Sequence, residues 1–154
     1  MFYTIIIHKM TTLLFYPSDF NLQHIIKYVE DEIDTLTTLD KTYKVFNYNS
    51  SSVEEQQNVL SSRSNGRNLS IVLDFIKNYV NNNQDKQFYI YLYTDGYSNT
   101  YKDINISDYI SNNIIKFKYI NIENKYNLGK LDYNNNWKSN NKFIYISTVK
   151  CQSS

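Results

Sequence analysis

Cysteine occurs once in these 154 residues, proline once and glycine three times. Each scarcity removes a class of function. A lone thiol, Cys151, excludes an internal disulfide, and a chain terminus is a poor place to hold a catalytic thiol against a base. Three glycines cannot build a phosphate-cradling loop, and no Gly-x-Ser-x-Gly turn is present. With only two histidines, His8 and His24, the chain cannot gather the imidazole and thiolate ligands of a zinc site. His8 lies beside an apolar run and His24 sits among Leu22, Ile25 and Ile26, so both read as packing or surface residues. The net charge of +1 comes from lysines scattered among acids, with no clustered basic face. A nucleic acid is therefore not expected as a partner. No apolar run approaches the roughly 20 residues that span a bilayer, and residues 1–7 lack the basic start and small-residue cleavage site of a signal peptide. The expectation is a soluble, intracellular protein without membrane insertion.

What the chain has is bulk. Sixteen tyrosines and eight phenylalanines supply core volume to a chain that is only 42% hydrophobic. Abundant Tyr, Asn, Ile and Lys resemble the bias of an AT-rich genome, so the runs Asn81-Asn82-Asn83 and Asn134-Asn135-Asn136 read simply as loops. The length suits one domain, drawn here over residues 1–149 with a short tail at 150–154.

Strand-like and helix-like segments alternate. Residues 2–7 and 11–16 are two extended runs, either of which can be the first sheet strand. Pro17 breaks the extension, and Ser18 or Asp19 suits a helix N-cap. Leu22, Ile25, Ile26, Val29, Ile33 and Leu36 then recur at helical spacing, predicting a helix over 20–37. A strand is expected at 42–48, followed by the serines 50–52. Residues 53–60 read equally as a short edge strand or a helical turn. Asn68 caps a second helix with Leu69, Val72, Leu73, Ile76 and Val80 on one face. Residues 107–112 suggest a short helix, 114–122 a strand, 128–133 a helical turn and 142–149 a last strand. Such strand–helix–strand repetition predicts an α/β fold: a mostly parallel central sheet flanked by helices, with right-handed crossovers.

The most informative segment is Gln87-Phe88-Tyr89-Ile90-Tyr91-Leu92-Tyr93 with the Thr94-Asp95-Gly96 that ends it. The run is uncharged and predicts a strand buried on both faces at the sheet centre. In open α/β sheets ligands and partners dock at the carboxyl ends of strands, which is where this pattern leaves Asp95.

Three segments, taken in order, resemble the von Willebrand factor A-type domain. Lys44-Val45-Phe46-Asn47-Tyr48-Asn49-Ser50 resembles its second strand, Asn65-Gly66-Arg67-Asn68-Leu69 its Gly-Gly-Thr-Asn-Leu loop, and Leu92-Tyr93-Thr94-Asp95-Gly96-Tyr97-Ser98 its Leu-Leu-Thr-Asp-Gly strand end. The resemblance covers roughly residues 11–148. It implies a doubly wound, Rossmann-like fold and a divalent cation at the top of the sheet. That cation is held by an Asp-x-Ser-x-Ser run, the loop threonine and the Thr-Asp-Gly aspartate.

This chain departs from that ligand set. If the first strand is 11–16, the run reads Tyr16-Pro17-Ser18-Asp19-Phe20; if it is 2–7, it reads His8-Lys9-Met10-Thr11-Thr12. Arg67 stands in the threonine's place. A guanidinium cannot ligate a cation and repels one, so no metal or other cofactor is expected. Arg67 either pairs with Asp95 or faces solvent.

The function expected is non-enzymatic. The domain binds another protein, or serves as a subunit of a larger assembly, through loops at the carboxyl end of the sheet. Ser18, Asp19, Arg67, Asn68, Asp95, Gly96, Tyr97 and Tyr101 are the candidate partner-binding residues, and no catalytic residue is assigned. One alternative is a Mg²⁺-dependent adhesion or scaffold domain. Another is a phosphotransfer enzyme centred on Asp95, against which Tyr93 occupies the nucleophile's place in the Asp-x-Asp-Gly-Thr pattern of haloacid dehalogenases.

Overall fold

Among the described residues there are six strands and two α-helices, and the two helices pack on opposite faces of the sheet. The computed structural model describes residues 10–57, 60, 66–95, 106–122 and 144–149. In chain order the elements are β1 (Met10–Pro17), α1 (Gln23–Thr38), β2 (Tyr43–Tyr48), β3 (Val53–Gln56), α2 (Leu69–Asn81), β4 (Gln87–Thr94), β5 (Ile114–Ile122) and β6 (Ile144–Val149). The sheet order is β3-β2-β1-β4-β5-β6, parallel throughout except for the antiparallel edge strand β3. Residues 11–16, one of the two candidate first strands, lie in β1 and pair with β2 and β4. Residues 2–7 and 128–133, His8 and the tail at 150–154 lie outside the described residues.

Alternation along β1 feeds both cores. Leu13 and Phe15 face α2 and join Phe46, Val72, Leu73, Ile76, Phe88, Ile90, Leu92 and Phe117. Leu14 and Tyr16 face α1 and join Ile25, Val29, Val45, Tyr93 and Ile122. The α2 side is aromatic as well as aliphatic. Phe15 stacks on Phe46 at 4.9 Å between ring centres, and Phe46 in turn meets Phe75 at 5.4 Å and Tyr79 at 5.7 Å. Offset and edge contacts of this kind add to the area term.

Several expectations need correcting. The first helix opens with a 3-10 turn at Phe20–Leu22, and α1 proper begins at Gln23 with Leu22 at its cap and no side-chain cap bond. Ser18 and Asp19 do not cap it because both side chains are engaged elsewhere. Of the two readings left open for residues 53–60, the edge strand is the one found, at 53–56, where Val53 to Gln56 pair with Tyr48 to Val45 in antiparallel register. The helix expected at 107–112 is a single 3-10 turn, Ile106–Tyr109. Strand β4 is central, as expected, yet it is not buried on both faces throughout. Phe88, Ile90 and Leu92 are enclosed under α2, whereas Tyr89 and Tyr91 are only half-buried on the α1 side. α1 covers the carboxyl end of β4, at Tyr93, and leaves the rest of that face partly open.

Scarce glycine is replaced where the backbone allows. Asp40 takes φ 54° just after α1, and Lys41 N–H donates to Leu36 O at 2.8 Å, a Schellman-type ending that usually employs glycine. At the other helix Asn113 closes the last turn, its side-chain amide donating to Val80 O at 2.7 Å. No described helix is long and apolar enough to cross a membrane.

Phe46 is the hub of the aromatic core, so Phe46→Ala should cost about 3–5 kcal/mol of unfolding free energy. Urea titration followed by circular dichroism measures this. A loss below about 1 kcal/mol would show that the ring cluster is not packed as described.

Candidate functional site

β1 and β4 are neighbours although α1, β2, β3 and α2 separate them in sequence, so the direction of strand order reverses between them. At such a reversal the connections leave on opposite faces and open a crevice outside the carboxyl ends of the strands. Three chain segments meet there. The first follows β1, where Pro17 ends the strand and Ser18 N–H still bonds Tyr48 O at 2.8 Å. The second is Gly66-Arg67-Asn68, which opens α2. The third is Asp95, directly after β4.

One guanidinium joins all three. Arg67 Nε donates to Asp95 Oδ1 at 3.2 Å and Nη2 to Asp95 Oδ2 at 2.5 Å, a forked, bidentate pair. Arg67 Nη1 donates to Asp19 Oδ2 at 2.8 Å. Gly66 N–H donates to the same oxygen at 2.9 Å. Gly66 takes φ 83°, a conformation that costs a residue with a Cβ and that turns this N–H toward Asp19. The triad is enclosed: relative exposure is 1% for Asp19, 6% for Arg67 and 0% for Asp95. Planar delocalised charge and five fixed donors suit Arg, and not Lys, to spanning two carboxylates. Gly66 and Arg67, which hold the two carboxylates, lead directly into the N-terminus of α2, the end of a helix that favours negative charge.

Neighbouring bonds fix the same segments. Asn68 accepts from Ser70 N–H at 2.9 Å and so caps α2 as predicted. Its own N–H donates to Asn49 O at 3.2 Å, while Asn49 Oδ1 accepts from Ser51 and Ser52 N–H at 2.8 and 2.9 Å. Ser18 Oγ donates to Tyr48 O at 3.3 Å. Beneath the triad the fully buried Tyr48 hydroxyl donates to Tyr93 O at 2.7 Å, bracing β2 against β4 across β1. Burial pushes the Tyr48 phenol well above its ordinary value, with a bond to Thr94 opposing. Tyr93 and Tyr119 are pushed up for the same reason.

Of the residues singled out from sequence, Ser18, Asp19, Arg67, Asn68 and Asp95 converge here. Gly96, Tyr97 and Tyr101 lie outside the described residues. Arg67 pairs with Asp95, and its second partner, Asp19, was not anticipated. Tyr48 was also missed; its signal is an aromatic residue at the carboxyl end of a strand beside β1. Among the described residues no group of three or more His, Cys, Asp or Glu could hold a metal ion. The arrangement can fix loops and present what they carry. It leaves no carboxylate oxygen of Asp95 outside the reach of Arg67.

No protein-family model matches the chain, and no curated protein matches it at a significant level. Sequence and geometry therefore carry the functional reading by themselves.

Arg67→Ala strands two buried carboxylates and should cost about 3–5 kcal/mol. Arg67→Lys should recover little of it, because one ammonium cannot span both partners. The triple variant Asp19→Asn, Arg67→Met, Asp95→Asn should regain most of the loss, since it removes every buried charge and keeps an acceptor for Gly66. Equal stability of wild type and Arg67→Ala in urea titrations would overturn the buried-triad account.

The tyrosines give a pH dependence. Burial keeps Tyr48, Tyr93 and Tyr119 protonated in the folded protein to higher pH than in the unfolded chain, where they titrate at the ordinary phenol value of about 10. The unfolded state then binds fewer protons, so stability is complete below pH 10 and falls as pH rises beyond it. Tyrosinate absorbance should rise in a second step that coincides with unfolding. A single smooth titration of all tyrosines in the folded protein would contradict it.

Proposed function

We propose that this chain is a von Willebrand A-type domain that binds another protein without a metal ion and without catalysis, alone or as a subunit of a larger assembly. The observation that carries the reading is the Asp19–Arg67–Asp95 triad. It occupies the point where the resemblance expects a cation between the loop after the first strand, the loop before a helix and the Thr-Asp-Gly aspartate. In place of an exchangeable ion there is a covalently attached cation. Further support comes from the strand order, which is that of doubly wound sheets, and from the helices on both faces.

The proposed binding surface is the loop cluster that the triad anchors. Ser18, Asp19, Arg67 and Asp95 point inward, so contact falls to their neighbours. Phe20, next to Asp19, is 50% exposed and apolar, which suits an interface anchor. Tyr97 and Tyr101 follow Asp95 in sequence and are proposed to contribute likewise. The alternatives are less well supported. A metal-dependent site would need Arg67 to withdraw from both carboxylates. A phosphotransfer role would need Asp95 as a nucleophile, whereas it is enclosed and held at both oxygens.

Millimolar Mg²⁺ and EDTA should both leave the melting temperature of the wild type unchanged. Arg67→Ser frees two carboxylates, and its lower melting temperature should rise with Mg²⁺, because a ligand bound only by the native state stabilises it. Capture of the partner from native extract should persist in EDTA and weaken by about 1–3 kcal/mol in Phe20→Ala or Tyr97→Ala. A rise of several degrees in the wild type with Mg²⁺, or capture that needs Mg²⁺, would replace this proposal with the metal-dependent one.

A further inference from the structure

The edge strand β3 is shorter than its neighbour. Val53 to Gln56 pair with Tyr48 back to Val45, so β3 ends opposite Val45. Among the described residues no strand continues that edge past Tyr43 and Lys44. On the α1 face the helix packs over Leu14 and Tyr16 of the next strand, β1. Between the helix and the end of β3 a cavity of about 400 Å³ opens beside Tyr43 and Val45, which share that face. Its size lies within the roughly 300–1,000 Å³ of cavities that enclose ligand groups.

The lining divides by chemistry. Ile33, Tyr43, Val45 and Leu60 form an apolar part continuous with the α1-side core. Ile33, Tyr43 and Leu60 are only half-buried, so apolar surface is left for an occupant to cover. Glu30 and Asp34 supply the other part. They stand at i and i+4 on α1, with Cβ atoms roughly 5–6 Å apart, and both are exposed, which puts their charge at the mouth. Like charges at that spacing work against the helix that carries them. Among the described residues neither carboxylate has a hydrogen bond or an ion pair, and no cation lines the cavity.

We propose that this cavity takes the side chain of an arginine from a partner protein. A guanidinium has donors enough to bridge two carboxylates one helical turn apart, where a single ammonium reaches one well. Its aliphatic stem suits Ile33 and Val45, and its planar face suits the Tyr43 ring. Charge alone does not hold the occupant, because ion pairs at an exposed mouth are screened by water and salt. The arginine is therefore assigned to a protein chain, which adds contacts outside the cavity, and not to a free cation. The space exceeds one side chain, so an apolar neighbour of that arginine enters with it. The inference stands apart from the proposed function: the cavity lies toward the amino end of β2, whereas the triad lies at the carboxyl ends of the strands.

The probe is a short peptide with a central Leu-Arg-Leu among serines; in its control citrulline, a neutral isostere, replaces the arginine. Titrated into the isotopically labelled full chain, the arginine peptide should shift the amide resonances of Ile33, Tyr43 and Val45. It should bind at least about fivefold more tightly than the control, and less so in high salt. Glu30→Gln with Asp34→Asn should remove that preference without lowering the melting temperature. Gln57→Trp, which fills the cavity from its exposed edge, should weaken both peptides. Four results would overturn the proposal: equal binding of the two peptides, indifference to these substitutions, N-acetylarginine amide binding as tightly as the peptide, or binding that appears only in Arg63→Gln. The third would mean a small-molecule site, and the fourth that an arginine of this chain is the occupant.

Discussion

A guanidinium held between two enclosed carboxylates sets the rest of this site. Asp19, Arg67 and Asp95 come from three segments far apart in the chain, and none can leave without exposing an unpaired charge to a dry interior. The energetic logic is asymmetric. Burying three charges is costly, so the triad need not stabilise the protein relative to an apolar replacement. Removing one member costs far more than removing all three. What the triad enforces is arrangement: the loop after β1, the entrance to α2 and the end of β4 are locked to one another at the point where strand order reverses. Gly66 and Asn68 follow from that constraint. One supplies a backbone donor that only a positive φ can aim at Asp19, and the other starts α2 at once, so that the guanidinium lies over the sheet.

The fold was largely legible in the sequence because its signals are local. The apolar stripe from Leu69 to Val80 and its asparagine cap specify α2 almost to the residue. The uncharged run before Asp95 marks a central strand for the same reason. Where the sequence misled, a tertiary partner had taken over a local signal. Ser18 and Asp19 look like helix caps, but Tyr48 and Arg67 offer them better bonds, so the chain passes through a 3-10 turn before α1 begins. Residues 53–56 have too few apolar positions to reveal a period; pairing with β2 makes them a strand. Tyr89 and Tyr91 look like core residues on composition alone, and their half-exposure depends on which strands α1 happens to cover.

The site was half legible. Asp95 and Arg67 could be found because a carboxylate after a buried strand and a cation at a helix entrance are both conspicuous. Their pairing could not be read, since nothing local distinguishes an arginine aimed inward from one aimed at solvent. Asp19 as the third member needed knowledge of which N-terminal run enters the sheet, a question that only strand pairing answers. Tyr48 was hidden by abundance: with 16 tyrosines, one more at a strand end carries no signal, although its hydroxyl ties β2 to β4.

An internal cation differs from a bound ion in what it permits. A metal exchanges with solvent and can complete its shell with a carboxylate from a partner, so it links binding to ion concentration. Arg67 does neither; its donors are directed at Asp19 and Asp95. Under the proposed function the segments that carry Asp19, Arg67 and Asp95 are therefore fixed before a partner arrives, which lowers the ordering cost of the binding step. Recognition must then come from side chains that the triad holds outward, such as Phe20, and not from the charged residues themselves. A partner that pairs with this surface meets a fixed template, a property suited to lasting assembly more than to ion-controlled adhesion.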